Sequence, residues 1–237
     1  MPWMTRFAGG RPAGPPPVVD SLGCMVWAFV FALVFAFVPW KPLTASAAPF
    51  RLQVKSAILL DAATGQILYA QNPDLPIPPA SITKIMTLYL TYEAVASGRV
   101  HWTDRVRVSK KARHTGGSRM FLDENTSLTL GDLAAGTSIV SANDGAVAIA
   151  EYIAGSTEDF VKLMNSKARE LGMNQTVFKN PHGLPAKGQT TTARDILKLS
   201  RSYLATFPQA LAIHSQKTYT YHNITQHNRN RLLKKYP

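Results

Sequence analysis

The chain has 237 residues, 46% hydrophobic and 17% charged, a globular composition that excludes collagen, coiled-coil and low-complexity architectures. Its 26 Lys and Arg against 14 Asp and Glu give a net charge of +12, which suits nucleic acid, anionic lipid, anionic cell-wall polymer or a carboxylate substrate and selects none of them. The single cysteine, Cys24, excludes a disulfide framework within the chain and a Cys-based zinc site.

At the amino end Arg6 and Arg11 precede an almost uninterrupted apolar run from Cys24 to Trp40, followed by Thr44-Ala45-Ser46-Ala47-Ala48. A basic head, an apolar middle and a small-residue exit predict a secretory signal peptide over residues 1–47, cleaved after Ala47. The competing reading is a retained anchor, because about 17 apolar residues lie at the lower edge of what spans a bilayer. Pro39 and Pro42, which end the helix ahead of an Ala-Ser-Ala exit, favour cleavage. Cys24 precedes the apolar run, whereas a lipoprotein cysteine follows it, so lipidation is not expected. Removing Arg6, Arg11, Lys41 and Asp20 with this segment leaves 23 basic and 13 acidic residues, a charge of +10 on residues 48–237.

The first predicted elements beyond the leader are short apolar runs over 54–60 and 66–70, joined by Asp61-Ala62-Ala63-Thr64-Gly65 as a β-hairpin. The proline-rich stretch 72–79 cannot be helix. Helical patterns then cover about 82–96, 130–139 and 144–153. A fourth opens on the capping pattern Ser156-Thr157-Glu158-Asp159 and carries Phe160, Met164, Ala168 and Leu171 on one face; a fifth opens on Thr192-Ala193-Arg194-Asp195. Alternation over Lys217–Tyr221 predicts a strand. A sheet built from both ends of the chain, with helices against it, is the expected arrangement.

Two short motifs could carry chemistry. In Ser81-Ile82-Thr83-Lys84 the serine hydroxyl and lysine amine share a helix face one turn apart, so a neutral lysine could take the serine proton. About one such spacing arises by chance in a chain with this many serines and lysines, and a helix cap beside a solvated lysine accounts equally for the bare pattern. In Ser141-Ala142-Asn143, between two helical patterns, a hydroxyl could relay a proton while a carboxamide holds a peptide carbonyl; capping of the next helix is again the alternative.

Order and spacing raise the significance of the pair. Ser-x-x-Lys at the start of a helix, about 60 residues before Ser-x-Asn, is the arrangement of penicillin-binding proteins and serine β-lactamases. The chain resembles the D-alanyl-D-alanine carboxypeptidases among the low-molecular-mass penicillin-binding proteins from about Ala57 to Pro237. The likeness runs through Pro79-Ala80-Ser81-Ile82-Thr83-Lys84, Gly117-Ser118-Arg119-Met120-Phe121-Leu122, Ser141-Ala142-Asn143-Asp144-Gly145, Asn180-Pro181-His182-Gly183-Leu184 and Asn228-Arg229-Asn230-Arg231-Leu232-Leu233. The resemblance implies an α/β (α+β) β-lactamase/transpeptidase-like fold, an antiparallel sheet flanked by helices with a helical subdomain. It implies Ser81 as acylated nucleophile, Lys84 as general base, Ser141 as proton relay and Asn143 as the substrate-amide contact. The implied partners are the peptidoglycan stem peptide and β-lactam antibiotics, with no cofactor, no metal and no nucleic acid. Export to the periplasm or the outer face of the cytoplasmic membrane is expected; peripheral membrane association is left open, because the amphipathic C-terminal anchor that the resemblance implies would follow Pro237. His182 suggests a Ser-His triad, but the resemblance implies a structural loop there.

The family's third motif, Lys-Thr-Gly, is not in the sequence. Lys217-Thr218 is followed by Tyr219 and lies too early, and His114-Thr115-Gly116 falls inside the stretch that matches Gly-Ser-x-x-Phe-Leu. The expectation is therefore a catalytic domain over 48–237 that stops before this motif, with an incomplete sheet and weak activity. A cell-wall-binding remnant without catalysis and a serine β-lactamase are the alternatives.

Overall fold

A computed structural model describes residues 50–235, so the expected signal segment 1–47 lies outside the described residues. The elements belong to a unit spanning Arg51–Pro237. The front hairpin pairs β1 (Ala57–Leu60) with β2 (Ile67–Gln71), antiparallel, Ala57 opposite Gln71. Its turn is held by the Asp61 carboxylate, which accepts the N–H groups of Ala63 and Thr64, both at 2.8 Å. This is the local side-chain-to-backbone bonding that makes Asp a turn former.

A short 3-10 turn over Ala80–Ile82 leads into α1 (Thr83–Ala96). Ten of its residues, Lys84 among them, are buried, as expected of a helix apolar on nearly every side. Next come β3 (Arg105–Arg107), α2 (Lys110–His114), β4 (Ser127–Thr129) and α3 (Leu130–Ile139). β3 pairs with β4, and Thr129 and Asp132 cap α3 reciprocally. α4 (Asn143–Ala154) is buried without interruption from Asn143 to Ala150, and it packs against α1, α2, α3 and the following helix.

That helix, α5 (Thr157–Glu170), starts where the Ser156 side chain accepts the Asp159 N–H. α6 (Ala193–Thr206) starts where Thr192 accepts the Asp195 N–H. The Asp195 carboxylate turns instead to the Gln175 N–H and the Thr176 hydroxyl, each at 2.9 Å. α7 (Leu211–His214) precedes β5 (Thr218–Tyr221) and β6 (Ile224–His227).

The expected sheet joining both ends of the chain does not form among the described residues. They contain three separate two-stranded sheets, β1–β2, β3–β4 and β5–β6. The local reason lies at His222 (φ +46°) and Asn223 (φ +61°), whose paired left-handed conformations make the tight turn that folds β5 back on β6. Two apolar clusters hold the helices. One gathers Met86, Tyr89, Tyr92, Phe160, Met164, Phe178, Leu199, Tyr203 and Phe207; the other gathers Val106, Met120, Leu122, Leu130, Leu133, Ile139, Val147 and Ile149. α1 and α4 contribute to both.

Candidate active site

Ser81 sits in the 3-10 turn, exposed, and Lys84 in the first turn of α1, only 3% exposed. The turn places Lys84 Nζ 3.3 Å from Ser81 Oγ. Ala80, at φ +46°, is left-handed without being glycine, a conformation that costs an L-residue about 1 kcal/mol or more. Burial pulls the Lys84 amine down to about 8, against a smaller opposing pull from the Asp144 carboxylate. At neutral pH about a tenth of such amines are neutral, enough to supply a base.

The loop 180–184 closes one wall around this pair. Lys84 Nζ donates to the His182 carbonyl at 2.7 Å, and Thr87 Oγ1 donates to the Pro181 carbonyl at 2.6 Å. Asn180 folds the loop on itself, its Oδ1 accepting the Gly183 N–H at 2.6 Å and its Nδ2 donating to Leu184 O. Gly183, at φ +89°, is pressed so closely on the Ser81 turn that a Cβ would lie 1.7 Å from the Ala80 carbonyl oxygen. Only glycine meets both demands. His182 contributes its carbonyl, while its Nδ1 accepts the Leu184 N–H. Burial and the nearby Lys84 push its imidazole down to about 4, so it is neutral.

Ser141 lies between α3 and α4 at φ +61°, and its buried hydroxyl makes no hydrogen bond. The Asn143 side chain goes elsewhere: its Nδ2 donates to Gly116 O at 2.7 Å while its backbone N–H donates to Ser118 O at 2.7 Å. Ser81, Lys84 and Ser141 line one cavity of about 420 Å³, with Thr137, Ser138, His214, Asn228, Arg229 and Asn230 also on its walls. Asn143 is not on those walls. His114 closes the short helix α2, and Lys217 adjoins β5, so neither decoy of the third motif reaches the cavity lining. Among the described residues no three His, Cys, Asp or Glu side chains are grouped to hold a metal ion.

Two contributors escape any local pattern. Asp144, fully buried, accepts the N–H groups of Met120 (3.0 Å) and Leu122 (3.2 Å), fixing the 116–122 loop that meets Asn143. Arg229 reaches back about ninety residues: its N–H donates to Ile139 O at 3.0 Å, its Nε to Val140 O at 3.3 Å and its guanidinium to Ser118 Oγ at 3.2 Å. The only sequence signal for either was the family-like segment each belongs to.

A serine hydroxyl beside a buried, partly neutral lysine can transfer an acyl group: the amine takes the proton as the oxygen attacks a carbonyl. Solved structures of similar fold are named as penicillin-binding proteins. Penicillin binding protein 5 from Haemophilus influenzae is 38% identical with a TM-score of 0.77, over 80% of this chain and 56% of that one. The chain belongs to the D-alanyl-D-alanine carboxypeptidase family, whose match covers residues 43–237. Among curated relatives, DacC of Escherichia coli (strain K12) is 41% identical over 213 residues and DacF of Bacillus subtilis (strain 168) 40% over 189. These alignments take in 85% and 78% of this chain but 52% and 49% of the relatives, so the chain spans about half the length of the curated relatives it matches.

Proposed function

We propose that this chain carries serine D-Ala-D-Ala carboxypeptidase chemistry on peptidoglycan stem peptides, as the names of its relatives suggest. Lys84 takes the Ser81 proton as Oγ attacks the carbonyl carbon of the penultimate D-alanine. The bond to the terminal D-alanine breaks, that amine leaves with a proton relayed through Ser141, and water hydrolyses the Ser81 ester. Asn143 holds the substrate amide once it exchanges its bond to Gly116 O for one to the peptide. β-Lactams, whose strained amide mimics the scissile bond, acylate the same oxygen.

The observation that carries this reading is the Lys84 amine, 3.3 Å from the Ser81 hydroxyl and held at about 8 by burial, opening on a cavity shared with Ser141. We further assign residues 1–47 as an export signal and 48–237 as the domain that acts on the cell-wall side of the membrane. No helix of the described residues is long and apolar enough to cross a membrane. The deciding experiment is covalent labelling by a fluorescent penicillin. The wild-type chain is expected to label, Ser81→Ala to fall to background, and labelling that survives in Ser81→Ala removes Ser81 as the nucleophile.

A further inference from the structure

One wall of the Ser81 cavity is used by none of the roles above. Ser138 stands on the last turn of α3, three residues before Ser141, and its Oγ lies 2.7 Å from His214 Nδ1. The other ring nitrogen of His214 lies 3.2 Å from the Tyr203 hydroxyl. Tyr203 is 2% exposed and locked among Tyr89, Tyr92 and Phe207, with the His214 ring edge-on at 5.7 Å. Ser138 and His214 both line the cavity with Ser81, Lys84 and Ser141.

We propose that the Ser138–His214–Tyr203 chain is a positioning device for Ser141, holding the α3–α4 turn in its left-handed form while the imidazole is neutral and loosening it when the imidazole is protonated. The inference rests on the assignment of Ser141 to the acylation step. A non-glycine residue at φ +61° persists only where its surroundings over-determine it. The anchors are visible. Gly136 O receives the N–H groups of Val140 and Ala142, Arg229 binds the carbonyls of Ile139 and Val140, and Ser138 is tied to His214 by its side chain. His214 is itself held, its carbonyl accepting Asn228 Nδ2 at 3.0 Å.

Of these anchors only His214 carries an imidazole, the side chain whose ordinary titration lies closest to neutrality. A neutral imidazole offers one donor and one acceptor, which matches a serine on one side and a tyrosine on the other. A protonated ring has two donors, so Ser138 and Tyr203 must both accept, and the hydroxyl that had donated to the ring loses it as an acceptor. The charged groups on the cavity walls are Lys84 from α1 and Arg229 from the segment after β6; α3 offers only hydroxyls and α6 only a phenol, and no carboxylate lines the cavity. Nothing there rewards an imidazolium. Burial accordingly holds the His214 pKa below its ordinary value.

The test combines the pH profile of Ser81 acylation by a fluorescent penicillin with hydrogen exchange at the amides of residues 138–143, corrected for intrinsic rates. In the wild-type chain the logarithm of the acylation rate should fall with slope about 1 below the Lys84 pKa and show an additional downward step of up to about tenfold where His214 protonates. His214→Gln, which keeps one donor and one acceptor but cannot titrate, should hold slope about 1 throughout. His214→Leu and Ser138→Ala should acylate about tenfold more slowly at pH 7.5, as one lost hydrogen bond predicts, and exchange faster at 138–143. An additional step that persists in His214→Gln, or unchanged exchange in both His214→Leu and Ser138→Ala, overturns the proposal. If the wild-type chain does not label, the acylation reading falls, and exchange alone decides. Protection lost on acidification in the wild type and retained in His214→Gln supports the device, and equal protection in both refutes it.

Discussion

The two walls of the Ser81 cavity are built on opposite plans. The α1 wall is closed: Lys84 and Thr87 find carbonyls in the 181–182 loop, Asn180 satisfies the loop, and Gly183 fits the turn without room for a methyl. The α3–α4 wall is open, with a Ser141 hydroxyl lacking any partner and a backbone held by residues from far along the chain. The difference teaches where each kind of precision is needed. A nucleophile and its base must be fixed before substrate arrives, because misplacement by about an ångström costs on the order of a hundredfold. A hydroxyl that is to meet substrate must keep its hydrogen bonds unspent.

The harshest way to break the closed wall is Lys84→Met, which removes the base while keeping apolar bulk. Acylation should drop on the order of 10³-fold, yet the fold should become more stable at pH 7, because a buried cation no longer has to be accommodated. The linkage has a definite sign. Lys84 titrates at about 8 when folded against 10.5 as the ordinary value, so between those values the unfolded chain binds more protons and stability rises with pH. Denaturant unfolding at pH 7 and 10 should show that rise in the wild type and a smaller one in Lys84→Met.

Gly183→Ala attacks the same wall sterically. The loop must retreat from Ala80, and a loss of about 3 kcal/mol in unfolding free energy is expected, with penicillin labelling reduced alongside. An unchanged melting temperature would show that the loop gives way at no cost and that the wall is not closed. Arg229→Gln probes the open wall more gently. It keeps the backbone bond to Ile139 O but loses the guanidinium contacts to Val140 O and Ser118 Oγ. Roughly tenfold slower acylation with about 1 kcal/mol less stability is expected, measured by labelling rate and denaturant midpoint.

What could be read in advance follows the same division. Helices announced by local rules came out near their predicted bounds: 130–139 coincides with α3, and Ser156 and Thr192 cap α5 and α6. The front hairpin is set by Asp61, which accepts N–H groups only two and three residues further on. The Ser81–Lys84 contact spans a single turn, so spacing alone contained it. The three-residue strands β3 and β4 are too short to show a period. Left-handed Ala80 and Ser141 are imposed by distant packing that no residue preference signals, and the Arg229 clamp joins segments about ninety residues apart. The strand expected over Lys217–Tyr221 is β5, but the sheet expected to join both ends of the chain does not form among the described residues, because two left-handed residues with no glycine between them fold β5 back on β6.

Trp102 packs against both apolar clusters and meets the Tyr92 ring edge-on at 4.7 Å. The other three tryptophans, Trp3, Trp27 and Trp40, all precede residue 48. Residues 48–237 therefore carry one indole, seated at the seam between the two apolar clusters. Its emission then reports on the junction where α1 meets both halves, so a probe-free fluorescence titration can tell loosening of that seam from loss of chemistry at Ser81.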